Sequence, residues 1–519
     1  YHCTSKLLAM EMERWLSLYF IGISTVLALW FLIFFGSKRN PKKKQLPPGP
    51  WTLPIIGSLH HLVGDLPHRR MMKMSRQHGP LMHLRLGEVP TVIVSSAEAA
   101  ALVMKTNDLD FASRPRSPLQ DIISCGGMGI IFGPYGDRWR QMRKICIVEL
   151  LSSKQVRRME GIKANEVGNL LHSMATAGAT VNVSAKMATL SSNVVTRAVF
   201  GGKFTRQDEY LHELSNVNEL MGSFCLVDLF PSSRLVRLLS NCERLMRRSY
   251  GRIQHIITEI IEGRKAARAA GGHACSTNDE DLLDVLLRLQ QEDSLTFPLT
   301  TEIIGVVIFD IFGAATETTG TAVDWAMSEL LNNPEAMGKA QREVREVLGQ
   351  GRHVIKSTDL SELRYMKMVI KEVLRLHPPA PLLVPRETRE DSQIMGYNMS
   401  KGTNIFVNVF AISRDPKYWD NPEEFKPERF ENSSVEYYGT HFEFTPFGAG
   451  RRQCPGILFA MSTVEIVLAN VLYHFDWVLP GGASAESMDM SEKFGVSVRR
   501  KLDLQLIAIP YKCSKAISI

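Results

Sequence analysis

Ten consecutive residues, Phe447-Gly448-Ala449-Gly450-Arg451-Arg452-Gln453-Cys454-Pro455-Gly456, constrain this chain more than any other stretch. A segment this rich in glycine lets the backbone approach the Cys454 sulfur, so that N–H groups can be aimed at it. A thiolate held that way can ligate a haem iron while staying a poor nucleophile, and such ligation favours O–O cleavage. The plain alternative is a glycine turn around a buried structural cysteine. The other seven cysteines (Cys3, Cys125, Cys146, Cys225, Cys242, Cys275, Cys513) form no C-x-x-C pair and repeat no spacing. They suggest neither a zinc site nor a disulfide framework, and a reducing compartment fits them best. Each reads as a buried small hydrophobe or an idle surface thiol.

The ten residues resemble the F-x-x-G-x-R-x-C-x-G signature of the cytochrome P-450 monooxygenases, with Phe447, Gly450, Arg452, Cys454 and Gly456 matching. The resemblance implies an α-rich prism with a minor β region and haem b held between two long helices, its iron ligated by the Cys454 thiolate. Phe111-Ala112-Ser113-Arg114-Pro115, Phe132-Gly133-Pro134-Tyr135-Gly136, His377-Pro378-Pro379 and Phe494-Gly495-Val496 look most like the plant microsomal members of specialised metabolism.

From Leu16 to Phe35 the chain is almost wholly apolar, and twenty residues of helix span about 30 Å, the thickness of a bilayer core. Lys38, Arg39, Lys42, Lys43 and Lys44 follow at once, which puts everything after them on the cytosolic side. A cleaved signal peptide would carry its charge before the apolar run and a small-residue cleavage site after it. The expected organisation is a luminal N-terminus at 1–15, a single-pass anchor at 16–36, a basic and proline-rich hinge at 37–50 and a catalytic domain at 51–519. Endoplasmic reticulum membrane is the expected location, so glycosylation-like triplets at Asn182, Asn398 and Asn432 should be idle. The chain starts at Tyr1, and Met10 or Met12 is the more natural initiator.

Over the whole chain, 45% hydrophobic and 22% charged residues describe an ordinary globular composition, and past Trp51 no repeat or low-complexity segment divides it. Helical periodicity runs through Arg138–Leu151, Leu282–Gln291, Glu302–Leu331, Pro334–Leu348, Tyr365–Leu376 and Leu458–Phe475. Strands are expected at Leu81–Leu86, Thr91–Val94, Asn404–Val409 and Leu502–Ile509, and a polar loop at Ala269–Asp281.

Glu372 and Arg375, three apart, share a helix face and can pair. They match the family's E-x-x-R, and Arg429 of Pro427-Glu428-Arg429-Phe430 completes the structural triad the resemblance implies. For the haem propionates it nominates Arg143, Arg386 and Arg452, since guanidinium groups bind carboxylates in a bidentate way. Trp139, one turn before Arg143, could add its indole N–H. Asp310-Ile311-Phe312-Gly313-Ala314-Ala315-Thr316-Glu317-Thr318-Thr319 looks like the distal helix, with Glu317 and Thr318 as the acid and alcohol that deliver protons to dioxygen. Ala315 stands where the family usually has glycine. By position, Ile122, Ile123, Ala314, Ala315, Leu382, Leu383, Val384, Phe494 and Val496 would line a pocket for a hydrophobic small molecule.

No flavin or dinucleotide fingerprint occurs, so the resemblance implies a separate NADPH-cytochrome reductase in the same membrane as electron donor. The net charge of +7, with Arg138, Arg140 and Lys144 on one helix, suits an acidic partner; nucleic acid has no further support. The expected reaction inserts one atom of O2 into an apolar substrate, a terpenoid ahead of a phenylpropanoid or an amino-acid-derived oxime. Two rivals are a haem-dependent isomerase or dehydratase on the same fold and a non-catalytic haem sensor or scaffold.

Overall fold

The computed structural model describes residues 45–511 apart from 177, 179, 224, 271–279 and 293–294, together with 19, 21–22 and 24–26. The chain divides into two units: 1–46 with 396–398, and 47–395 with 399–519. In the first, the described positions 19, 21–22 and 24–26 are helical and exposed. The rest of the expected anchor, the basic run to Lys44 and most of the expected loop at 269–281 lie outside the described residues.

The second unit is mostly helical. The helices that build its site are α1 (Asp137–Ile145), α2 (Val183–Phe200), α3 (Gln207–Gly222), α4 (Cys242–Ala269), α5 (Thr301–Asn332), α6 (Arg364–Leu376) and α7 (Ile457–His474). Thr300 starts α5 by accepting the Ile303 N–H on its hydroxyl, and 32 residues then run about 48 Å at 1.5 Å per residue. Residues 303–310 of α5 and most of α7 are buried in one apolar core. Both helices are long and apolar enough to cross a bilayer, yet both are largely enclosed by protein, which is where helices apolar all round belong in a large domain. Where α2 crosses α5, a Cβ on Gly320 would stand 3.3 Å from the Met187 carbonyl oxygen, so a small residue lets the two backbones approach.

The main sheet has the order β1-β2-β4-β3, from β1 (Leu81–Leu86), β2 (Val89–Val94), β3 (Arg386–Glu387) and β4 (Asn404–Val407). A short antiparallel hairpin joins β5 (Glu492–Lys493) to β6 (Arg499–Arg500). Residues 47–50 lie against β1, the Pro48 carbonyl accepting the His83 N–H at 2.8 Å. Strand β4 ends at Val407, two residues before the expected Val409, because the Asn408 side chain caps a helical turn at Val409–Ile412. The last strand begins at Gln505 instead of Leu502. The expected helix 138–151 widens after Ile145 into a π turn at Cys146–Leu150.

Candidate active site

Cys454 sits in the loop between a 3-10 turn at Gly450–Arg452 and the start of α7. Its N–H donates to the Phe447 carbonyl at 3.0 Å, closing the ten-residue loop on itself. Gly450 has φ +68°, and a Cβ there would stand 2.1 Å from the Met104 carbonyl oxygen and 2.7 Å from Asp108 Oδ2, so no larger residue fits. Burial pushes the Cys454 thiol pKa up, while the Gly456 backbone N–H and the Arg143 charge pull it down. Protein surrounds the sulfur on the loop side, and its open side faces a cavity that Phe447, Gly456 and Cys454 help to line.

Four arginines line the same cavity: Arg114, Arg143, Arg386 and Arg452. Arg143 Nη2 donates to the Gln453 carbonyl at 2.6 Å. Arg386 reaches Asp108 at 2.6 Å and the Ala449 carbonyl at 2.8 Å. Arg452 donates to the carbonyls of Ala112 and Gly133 at 2.7 and 2.6 Å. Arg114, which the sequence reading quoted only as part of Phe111–Pro115, donates to the carbonyls of Ile131, Val384 and Pro385 at 2.6–2.9 Å. Burial and then repulsion from Arg452, Arg386 and Arg143 lower the Arg114 pKa well below the ordinary arginine value; burial and the charges of Arg386 and Arg143 bring Arg452 down to about 9. Among the described residues, Asp108 is the one carboxylate hydrogen-bonded to any of these four, and it also accepts the Arg451 N–H at 2.8 Å. Four guanidinium groups with so little counter-charge, beside one open cysteine, fit a dicarboxylate whose metal is bound by a thiolate, which is haem b.

Trp139 is placed differently from the expectation. Its indole N–H is donated to the Ile130 carbonyl at 2.9 Å, and its ring lies under the Arg452 guanidinium, 4.0 Å from the ring centre. It therefore orients an arginine by cation–π contact. The loop that offers those carbonyls is held by Asp310 of α5, whose Oδ2 accepts the N–H groups of Ile130 and Ile131 at 2.6 and 3.1 Å. Burial raises the Asp310 pKa to about 7 against the pull of those two bonds. Its sequence signal was an acid seven residues before Glu317 on an otherwise apolar helix face.

The triad forms as expected. Arg375 grips Glu372 with Nε and Nη2 at 2.7 and 2.8 Å, and Arg429 Nε joins at 2.9 Å. Arg375 also donates to the carbonyls of Ser413, Pro422 and Glu424, so α6 pins the irregular segment that leads to the cysteine loop.

On α5 the acid and the alcohol face different spaces. Ala314, Ala315 and Thr318, one helix turn apart, line the cavity with Cys454. Thr318 Oγ1 donates back to the Ala314 carbonyl at 2.7 Å. Glu317 lines a second, more polar cavity between α2, α3, α5 and the β5–β6 hairpin, and accepts from Asn218 Nδ2 at 3.0 Å. Burial raises its pKa, opposed by Arg499 and by that hydrogen bond. Successive residues on a helix point about 100° apart, so one turn of α5 serves both cavities.

The expected pocket set is divided in the same way. Ala314, Ala315, Leu383 and Val384 line the cysteine cavity, together with Ile130, Ile131 and Ile311. Phe494 and Val496 line the second cavity, because the hairpin tip packs on the end of α3: a Cβ on Gly222 would stand 2.5 Å from Gly495 Cα. Ile123 is buried in the main core, with Ile122 packed against it. Leu382 belongs to a separate apolar cluster with Leu84, Leu86, Leu229 and Phe230.

Residues 47–506 match the cytochrome P450 family model. Desmethyl-deoxy-podophyllotoxin synthase of Sinopodophyllum hexandrum is 46% identical over 94% of this chain and 96% of its own length. Premnaspirodiene oxygenase of Hyoscyamus muticus is 43% identical, and 5-epiaristolochene 1,3-dihydroxylase of Nicotiana tabacum 44%, each over 95% of this chain and 99% of the relative. A zebrafish cytochrome P450 solved with abiraterone superimposes with a TM-score of 0.73 at 25% identity, covering 86% of this chain and 99% of that one. The chain belongs to the cytochrome P450 family, as a haem-thiolate monooxygenase.

Proposed function

We propose that this protein oxidises a hydrophobic terpenoid of plant secondary metabolism, using O2 and electrons from an NADPH-dependent reductase, while anchored in the endoplasmic reticulum membrane by residues 16–36. The body from residue 51 onward faces the cytosol, after a hinge at 37–50, with 1–15 luminal. The observation that carries the reading is the cavity shared by Cys454, four guanidinium groups and Thr318. Terpenoid oxidation is favoured by the relatives named for premnaspirodiene and 5-epiaristolochene.

Haem, when bound, supplies the activation of dioxygen. Cys454 would hold its iron, and Arg114, Arg143, Arg386 and Arg452 would hold its carboxylates. Ile130, Ile131, Leu383 and Val384 keep water from the reacting carbon and give a substrate apolar contact. Glu317 would take up and pass on a proton from the polar side of α5, and the Thr318 hydroxyl, turning from the Ala314 carbonyl, would present one on the cysteine side. The exposed residues Arg138, Arg140 and Lys144 of α1 form a basic face for the acidic surface of a reductase. A relay with a purpose only when oxygen is reduced favours this reading over an isomerase or a sensor.

The test is reconstitution with a plant NADPH-cytochrome reductase and a panel of terpenoids and lignans, with products detected by mass spectrometry. NADPH-dependent hydroxylation of at least one terpenoid is expected. Turnover of lignans alone would overturn the substrate class, and isomerised product without NADPH would overturn the reaction.

A further inference from the structure

Cys225 and Cys242, two of the cysteines that sequence alone leaves idle, stand with their sulfurs 3.1 Å apart. That is about 1 Å longer than a disulfide bond, and it is the one thiol–thiol hydrogen bond among the described residues. Cys225 follows the end of α3 by three residues, and its thiol, which donates to Cys242 Sγ, also lies 3.3 Å from Ser223 Oγ. Cys242 is the first residue of α4, its N–H held by Ser240 Oγ at 3.2 Å. The two sulfurs thus fasten the ends of the connection between α3 and α4. Cys225 is buried and Cys242 half-buried, so Cys242 is the sulfur that solvent reaches first.

The connection has the character of a cover. Leu229 and Phe230 at its middle pack on Leu84, Leu86 and Leu382, and Asp228 accepts the Leu119 N–H at 3.3 Å. Leu235, Leu238 and Leu239 point outward, each more than half exposed. A bond between the sulfurs would close 225–242 into a loop and restrain any movement of the end of α3 away from the start of α4.

We infer that Cys225 and Cys242 form a reversible disulfide, with a peroxide as oxidant, that locks the α3–α4 connection. The Cys242 thiolate attacks one peroxide oxygen, the O–O bond breaks, and a sulfenic acid and water result once the leaving hydroxide is protonated. The Cys225 sulfur then attacks the Cys242 sulfur, the S–O bond breaks, and the departing hydroxide takes up the Cys225 proton as water. Two thiols and one peroxide become one disulfide and two waters. A thiol reductant reverses the step. Burial holds the Cys225 thiol protonated, raising it to about 12, which suits a resolving sulfur that acts only after its neighbour has been oxidised.

The experiment uses the full-length haem-loaded protein in lipid nanodiscs, treated with hydrogen peroxide at low molar excess, then alkylated and mapped by mass spectrometry without reduction. The expected result is one peptide cross-linked between Cys225 and Cys242, lost on adding dithiothreitol, with Cys125 and Cys146 still alkylatable after unfolding. Hydrogen exchange over 226–241 should slow several-fold in the oxidised protein and return on reduction. Cys225→Ser should instead accumulate Cys242 as sulfenic and then sulfinic acid, a readout that needs no activity. Oxidation of Cys242 to sulfinic acid in the wild type with Cys225 still free would overturn the inference, as would both thiols surviving peroxide that oxidises free cysteine. Oxidised glutathione in place of peroxide should give the same cross-link.

Discussion

The cysteine side and the α5 side of the cavity are built on opposite plans. On the cysteine side, one ten-residue loop carries the sulfur proposed to bind the haem iron, Gly450 fits where no side chain could, and Glu372, Arg375 and Arg429, bonded to one another, pin the segment that leads to that loop. On the α5 side, function is shared among residues from several segments, and neighbours in sequence diverge in space. Thr318 meets the cysteine cavity, while Glu317 meets the polar one. The contrast matches the roles proposed for the two sides. Ligation needs a fixed sulfur, whereas proton supply needs a path from water to a place that excludes water.

The largest expected effect would break the cysteine side altogether. Cys454→Ser replaces a thiolate with a mostly protonated hydroxyl, and the red-shifted absorption of the reduced carbon monoxide complex should vanish. Its persistence would remove the ligand assignment. Next in size, Glu372→Ala strands two buried guanidinium groups, at a cost of about 3–5 kcal/mol. Thermal unfolding should shift down and haem be retained poorly; a loss below about 1 kcal/mol would mean that the triad does not hold this side together.

A pH experiment then tests how firmly the hairpin facing α5 is held. Glu492 in β5 is buried, which by itself would raise its pKa, but hydrogen bonds and charge from His68 and Arg69 outweigh that and bring it to about 2. His377 Nδ1 lies 3.9 Å from its other oxygen. With the folded pKa below the unfolded value of 4.5, the unfolded chain binds the proton more readily, so the stabilisation is complete above pH 4.5 and lost as pH falls through about 2. It amounts to about 3 kcal/mol. Denaturant midpoints for wild type and Glu492→Gln should differ most above pH 4.5 and converge towards pH 2; a constant difference would place the effect in packing.

Smaller effects separate the two faces of α5. Thr318→Ala should lower product formation ~10²-fold, with NADPH still consumed and hydrogen peroxide released in place of product. Glu317→Gln should slow proton supply and so reduce NADPH consumption itself. If both variants gave the same ratio of peroxide to product, the two residues would be acting as one group and the division between cavities would have no kinetic meaning. Least disruptive is Ala315→Gly, costing about 1 kcal/mol in helix propensity. Loss of that methyl should broaden the product distribution and leave the haem spectrum unchanged. Identical product ratios would show that the methyl does not face the reacting carbon.

By itself, the sequence determined what depends on neighbours along the chain. Cys454 and its glycines, the Glu372–Arg375 pairing and the apolar helix 302–331 are local patterns, and each can be read because a loop closes on itself or a helix repeats every 3.6 residues. Arg429 and the arginines Arg143, Arg386 and Arg452 came from the resemblance, segment by segment. Only the tertiary structure decided which side of a wall each residue faces. It added Arg114 and Asp108, whose value lies in contacts with Val384, Pro385 and Arg386, more than 260 positions away. It gave the Trp139 N–H to Ile130, put Phe494 and Val496 in the polar cavity, placed Ile123 and Leu382 in the core, and brought Cys225 to Cys242. An apolar side chain carries the same hydrophobic signal whether it lines a cavity or fills a core, because both remove it from water, so packing between distant segments must settle which it does.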